Sequence, residues 1–281
     1  MTTLYTSIEL EGGLGSRLFQ IAYIILFLRL SKTQKIKRKL VFKGLTEPYW
    51  NTIFKGLFCV LNDTEYNAIP FVNHLGTDSP YPYMAREHVL FKGLKGLKGL
   101  KGGYQTFANI DDSLREKMIT IVYSNEDIMY SAYYKYRDIL DYFGKNTKDD
   151  DMVSLHIRRK TDSPLLMCYY KEALRLANKK KIVVFSDDIE WCINNFRDHV
   201  NSNDGDVSTD YNIYYIRKGE YTETDKATEF ILMSMFQHNI IANSHFSLWA
   251  SFISYYTRKV VIAPKHEHSG ELYHKYITNI V

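Results

Sequence analysis

The chain has 281 residues, of which 45% are hydrophobic and 24% charged, with 36 Lys plus Arg against 32 Asp plus Glu. These proportions suit one large domain or two ordinary ones and exclude disorder over most of the length. A formal charge of +4 is too small to define a nucleic-acid protein, and Cys59, Cys168 and Cys192 form neither a disulfide framework nor a CxxC zinc cluster.

In chain order, Leu4–Leu10 alternates like a strand and is followed by Glu11-Gly12-Gly13-Leu14-Gly15-Ser16. The apolar run Leu18–Leu30 comes next. As a helix it would span roughly 20 Å, short of the ~30 Å hydrocarbon layer, so a buried helix is predicted. The N-terminus lacks the basic start of a signal peptide. A soluble, cytoplasmic protein without an integral membrane segment is expected. Residues 31–150 are mixed, with a basic stretch at Lys32–Lys39 and Lys-Gly-Leu repeats from Lys92 to Gly103 that read as a basic loop. Nucleic-acid binding through those stretches is the weaker alternative to a solvated basic face, because no recognised motif accompanies them.

From residue 151 the rhythm is regular. Strands are predicted at Val153–Ile157, Ile182–Phe185, Ile213–Ile216, Ile240–Ala242 and Val260–Ala263. Helices are predicted at Tyr169–Asn178, Ile189–Phe196, Ala227–Gln237 and Phe246–Tyr255. This alternation implies βαβ units, a parallel sheet and one edge carrying all the strand C-terminal ends. Ligands of open α/β sheets bind at that edge. The polar run Asn146–Asp151 marks the expected boundary between domains 1–150 and 151–281.

Four stretches carry chemistry. Gly12, Gly13 and Gly15 follow a strand and open a helix, where glycine permits positive φ and close approach of a ligand. Neither GxGxxG nor GK[ST] is present, and a tight turn without a ligand is an equal alternative. In Val153-Ser154-Leu155-His156-Ile157-Arg158-Arg159, alternation sets His156 and Arg158 on one face at the end of a strand. A phosphate would satisfy that arginine, as would an internal ion pair with Asp162 or Asp187. Ser186-Asp187-Asp188 and Asn243-Ser244-His245-Phe246-Ser247 follow strands and precede helices, so helix capping and phosphate binding both fit them. Asp149-Asp150-Asp151 and His266/His268 lack a convincing metal-ligand spacing, and no metal is expected.

Taken together, these stretches resemble the α-1,2-fucosyltransferase family, glycosyltransferase family 11. Gly12–Gln20 is similar to its GGLGNQLFQ opening, His156–Arg159 to HIRRGD, Val184–Trp191 to FSDDIEW, and His238–Trp249 to HxIIANSSFSWW. Gly103-Tyr104-Gln105-Thr106 and Ile262–Lys265 are weaker matches in the same order. The resemblance implies an α/β, GT-B-like fold of two Rossmann-like domains with the donor site in the cleft. The N-terminal domain would be acceptor-side and the C-terminal domain would hold the nucleotide sugar. It implies GDP-β-L-fucose as donor substrate, a galactose-type glycan acceptor, an inverted α-1,2 linkage and no cofactor or metal. The departures are Ser16 and Arg17 in the opening motif, Lys160-Thr161-Asp162 in place of the Gly-Asp that ends HIRRGD, and Leu248-Trp249-Ala250 near the final signature.

On this reading Arg158, with His156 beside it, meets the donor diphosphate. Arg159, Asp187, Asn243, Ser244 and Ser247 hold the nucleotide, and Gly12, Gly13 and Gly15 admit the ligand. Asp162, Glu11 and His156 are candidates for the base. Another GDP-deoxyhexose, another acceptor hydroxyl, or a catalytically weak nucleotide- or glycan-binding protein are the alternatives. The sequence does not set the oligomeric state.

Overall fold

The structure is a computed structural model that describes residues 4–33, 37–43, 52–75, 88–92, 107, 110–161, 164–196, 211–217, 222–265 and 273–281. Asp162, His266, His268, Gly103–Thr106 and all of the Lys-Gly-Leu repeat beyond Lys92 lie outside the described residues. The chain divides into two compact units, 1–125 with 270–273 and 126–269 with 274–281. The division falls ahead of the expected boundary at 150.

In the first unit, β1 (Leu4–Ile8) leads into α1 (Leu14–Thr33). β2 (Arg38–Lys43), β3 (Cys59–Leu61), α2 (Asp63–Asn67), β4 (Phe71–Leu75), β5 (His88–Lys92) and α3 (Asp112–Val122) follow. The strands form a parallel sheet in the order β3-β2-β1-β5-β4. The apolar run of α1 is buried as expected, with Leu18, Phe19, Ile21, Ile24 and Phe27 almost completely covered. Among the described residues, no helix is long and apolar enough to cross a membrane.

The second unit opens with α4 (Glu126–Phe143) and continues through β6 (Met152–Ile157), α5 (Met167–Ala177), β7 (Lys181–Ser186) and the single turn α6 (Ile189–Trp191). The chain goes on as a π turn over Cys192–Phe196, followed by β8 (Asn212–Tyr215), α7 (Glu223–Ser234) and β9 (His238–Ile240). α8 (His245–Ile253), β10 (Val261–Ala263) and β11 (Asn279–Ile280) complete the unit. All pairings are parallel, in the order β8-β7-β6-β9-β10-β11. Counted from β6, that is the 3-2-1-4-5-6 order of a doubly wound sheet, and it reverses between β6 and β9. β6 is buried along its whole length, as befits a central parallel strand covered on both faces.

Side chains explain why the boundary moves. Tyr136 of α4 packs its ring 5.2 Å from Phe236 and donates to Asp149 Oδ1 at 2.6 Å. Asp149 also accepts from Tyr256, Asp150 meets His238 Nε2 at 2.7 Å and Lys179 at 3.2 Å, and Asp151 accepts the Lys148 N–H at 2.9 Å. The acidic run is the anchored lead-in to β6, and α4 packs with the sheet behind it.

Candidate active site

The reversal of strand order puts the ends of β6, β7 and β9 side by side. A pocket of about 180 Å³ opens there, lined by His156, Arg158, Phe185, Ser186, Asp187, Glu229, Ser244 and Phe246. The loop carrying Arg158 is held from two sides. Asp187 accepts the backbone N–H of Arg159 at 2.7 Å and that of Lys160 at 3.1 Å. The Arg159 guanidinium stacks over Trp191, 3.9 Å from the ring centroid, a strong cation–π distance. Both oxygens of Asp187 are thus engaged with backbone, and no ion pair joins it to Arg158. The Arg158 guanidinium makes no hydrogen bond or ion pair among the described residues.

Asp188 caps α6, accepting the Trp191 N–H at 3.2 Å, so capping and loop clamping are divided between adjacent aspartates. Ser244 caps α8, its hydroxyl accepting the Phe246 N–H at 3.3 Å. Asn243 precedes it and is exposed. Ser247 departs from the expectation that it faces the donor. It is fully buried, accepts the Ala242 N–H at 3.2 Å, donates to the Ser244 carbonyl at 3.3 Å and lies 2.9 Å from His156 Nδ1. Ser247 therefore positions His156 and the start of α8. His156 itself is buried and its ring lies 5.7 Å from that of Phe246.

Glu229 was not singled out from the sequence. It is 5% exposed, yet it lines the pocket from α7. The available signal was one carboxylate directly before the apolar stretch Phe230–Met233, on a helix side that otherwise has to face the core.

In the first unit, Gly12 has φ +80, and a Cβ there would come within 3.2 Å of Ser16 Cβ. That position requires glycine, whereas Gly13 has open space and Gly15 lies in the first turn of α1. Gln20 grips the Glu11 peptide, accepting its N–H at 2.9 Å and donating to its carbonyl at 3.0 Å. Arg17 Nε donates to the Gly12 carbonyl at 2.8 Å. The loop has a fixed shape set by residues on the helix behind it.

The glycosyl transferase family 11 model matches residues 113–276. The chain belongs to glycosyl transferase family 11. The match contains the whole pocket and begins after the Gly12–Gln20 loop. Among curated relatives, the chain is similar to the O-antigen biosynthesis glycosyltransferase WbnK of Escherichia coli, at 29% identity over 58% of this chain and 53% of that protein. It is also similar to an Escherichia coli α-1,2-colitosyltransferase, at 32% identity over 40% of this chain and 39% of the relative. The chain thus spans about half the length of the curated relatives it matches. A structure of NodZ α-1,6-fucosyltransferase soaked with GDP-fucose superposes with TM-score 0.58, at 12% identity over 96% of this chain and 97% of NodZ. The fold is accordingly GT-B-like.

His245 stands where the family 11 signature quoted above has serine. Burial first, and then the Arg158 guanidinium, hold its imidazole down at about 4, from an ordinary 6.5. As pH falls below 6.5, the unfolded chain takes up this proton while the folded chain does not until about 4. The stability linked to His245 is therefore complete above 6.5 and lost as pH falls towards 4, by roughly 3 kcal/mol. Denaturant titrations across that interval should show the loss, and His245→Gln should flatten it. An unchanged slope in His245→Gln would assign the loss to other groups.

Proposed function

We propose that this family 11 member is an inverting glycosyltransferase that moves L-fucose from GDP-β-L-fucose to the 2-hydroxyl of a galactose-type acceptor. The observation that carries the reading is Arg158: a guanidinium without a partner among the described residues, in a pocket at the strand-order reversal, on a backbone that Asp187 clamps. In the reaction the acceptor oxygen bonds to the fucose anomeric carbon as the bond from that carbon to the diphosphate oxygen breaks. Negative charge grows on the leaving diphosphate, and a preorganised cation there lowers the barrier. Arg158 supplies that charge without a metal. The N-terminal end of α8 behind Ser244 and Asn243 favours an anion for the same electrostatic reason.

Glu229 suits the other end of the nucleotide. A carboxylate repels phosphate, but it can accept two hydrogen bonds at once from the N1–H and 2-amino group of guanine. His156, fixed by Ser247 and lining the same pocket, is proposed to orient the ligand. Asp162 is the proposed acceptor of the proton from the sugar hydroxyl. Gly12, Gly13 and Gly15 are proposed to admit a ligand close to the backbone of the first unit's opening loop.

GDP and GDP-fucose should raise the melting temperature, by an amount equivalent to ~2.7 kcal/mol at 100 times the dissociation constant. UDP- and CMP-sugars should not, and inosine diphosphate, lacking the 2-amino group, should act less strongly than GDP. Nucleotide release with lactose-type acceptors should proceed in EDTA. Equal stabilisation by UDP-sugars would remove the donor assignment, and activity restored only by manganese would remove the role given to Arg158. The likeness to a protein named as a colitosyltransferase favours one second reading, a different GDP-linked sugar on the same site. A donor panel separates the two.

A further inference from the structure

A second cavity, of about 430 Å³, lies between α4 and the edge strand β8. It is more than twice the volume of the Arg158 pocket, and the mechanism above uses none of its residues. Lys135, Asp138 and Tyr142 line it from one face of α4, at helical spacings of three and four residues. Tyr214 and Arg217 line it from β8 and the end of that strand, on the same carboxyl edge that carries Arg158. α4 was expected in the acceptor-side domain; it forms part of the second unit and puts these side chains against the sheet edge.

The edge itself is partly closed. β8 bonds to β7 through the N–H groups of Asn212 and Ile216, at 2.9 and 3.0 Å, so the Ile213 carbonyl lies on the open side. Tyr142 donates its hydroxyl to that carbonyl at 3.3 Å. Capping of this kind blunts a sheet edge against an added strand, the usual occupant of such a groove.

What remains suits a small hydroxyl-rich ligand. The rings of Tyr142 and Tyr214 stand 5.0 Å apart at 71°, and Tyr142 is 54% exposed. They offer aromatic faces to the C–H side of a sugar ring, while Asp138 and Arg217 can each make paired hydrogen bonds to vicinal hydroxyls. Burial, and next Asp138, raise the pKa of the Tyr214 hydroxyl, so this carboxylate faces the same space as the ring. Asp138 repels a phosphate, whereas a lining of both signs matches a ligand whose hydroxyls donate and accept. β8 lies two strands from β6, roughly 10 Å at ~4.8 Å per spacing, which is within the reach of a short glycan.

We infer that the cavity between α4 and β8 is a saccharide subsite that grips a sugar of the acceptor glycan remote from the reacting hydroxyl. The inference rests on the glycosyltransferase reading for its choice of ligand. Its test uses the full chain, a printed glycan array, and the variants Asp138→Ala and Arg217→Ala, whose side chains are exposed and carry no core packing. The parent should bind hydroxyl-rich glycans. Each variant should bind them at least ~10-fold more weakly, the loss expected for hydrogen bonds to a charged group. The melting-temperature rise with GDP should be the same in all three proteins. No glycan binding by the parent, or equal binding by parent and variants, overturns the inference. Glycan binding that depends on Asp138 in a protein that ignores GDP would leave the subsite standing and remove the donor reading instead.

Discussion

Arg158→Ala is expected to lower kcat/KM at least ~10²-fold, the scale for losing one preorganised electrostatic contact. β6 ends at Ile157, so Arg158 leaves the sheet at the strand-order reversal, and the Asp187 clamp on the next two backbone N–H groups fixes where it leaves. On the proposed reading this contact would strengthen as the diphosphate gains charge, so kcat should fall along with donor affinity. Arg158→Lys should recover little, because an ammonium cannot hold two phosphate oxygens in a planar fork. The melting temperature without ligand should hold or rise, since the guanidinium makes no hydrogen bond or ion pair among the described residues. A folded Arg158→Ala protein with near-normal turnover would defeat the assignment and turn attention to Arg159 or Arg17.

Asp187→Ala should be the second most damaging change, by about 10- to 100-fold in kcat/KM. It removes the acceptor of two charge-assisted hydrogen bonds, leaving the N–H groups of Arg159 and Lys160 without it at the rim of the pocket. Unlike Arg158→Ala, it should also destabilise the protein, by roughly 1–3 kcal/mol. Asp187→Asn keeps one acceptor oxygen and should be intermediate in both measures. The signature of a positioning residue is parallel loss of stability and turnover across Ala and Asn. If Asp187→Asn keeps full stability and loses all activity, Asp187 touches substrate directly.

The sequence reveals the second unit more clearly than the first, for a physical reason. Strands β6 and β7 are central, buried on both faces and rich in β-branched residues, so Val153–Ile157 and Ile182–Phe185 stand out without context. In the first unit β3 is three residues long, and β2 begins and ends in basic residues whose stems can lie along the sheet. α4 is obscured by tyrosine, which serves both surfaces: Tyr136 is buried while Tyr130 and Tyr134 of the same helix are 60% and 65% exposed. At the site, Arg158 and Asp187 are legible because charged groups at strand ends need a reason. Ser247 and Glu229 are not, since the direction a hydroxyl or carboxylate takes from a helix depends on packing partners far away in the chain. His156 meets Ser247 only because β6 and β9 are neighbours.

The same strand order bears on how the protein is made. Val153 of β6 faces Ile182 on one side and His238 on the other. The first partner follows soon after β6 leaves the ribosome; the second is 238 − 182 = 56 residues later. At ~5–20 residues per second, β6 waits roughly 3–11 s with one edge open. That edge belongs to Met152–Ile157, a strand buried on both faces in the finished sheet and therefore adhesive while it is bare. Ser244 and Phe246 arrive later still, so no nascent chain that ends before β9 can hold a complete pocket. Synonymous changes that slow translation between β7 and β9 should accordingly raise the fraction of chains lost to aggregation, while the same changes upstream of β6, which leave this interval as it is, should not.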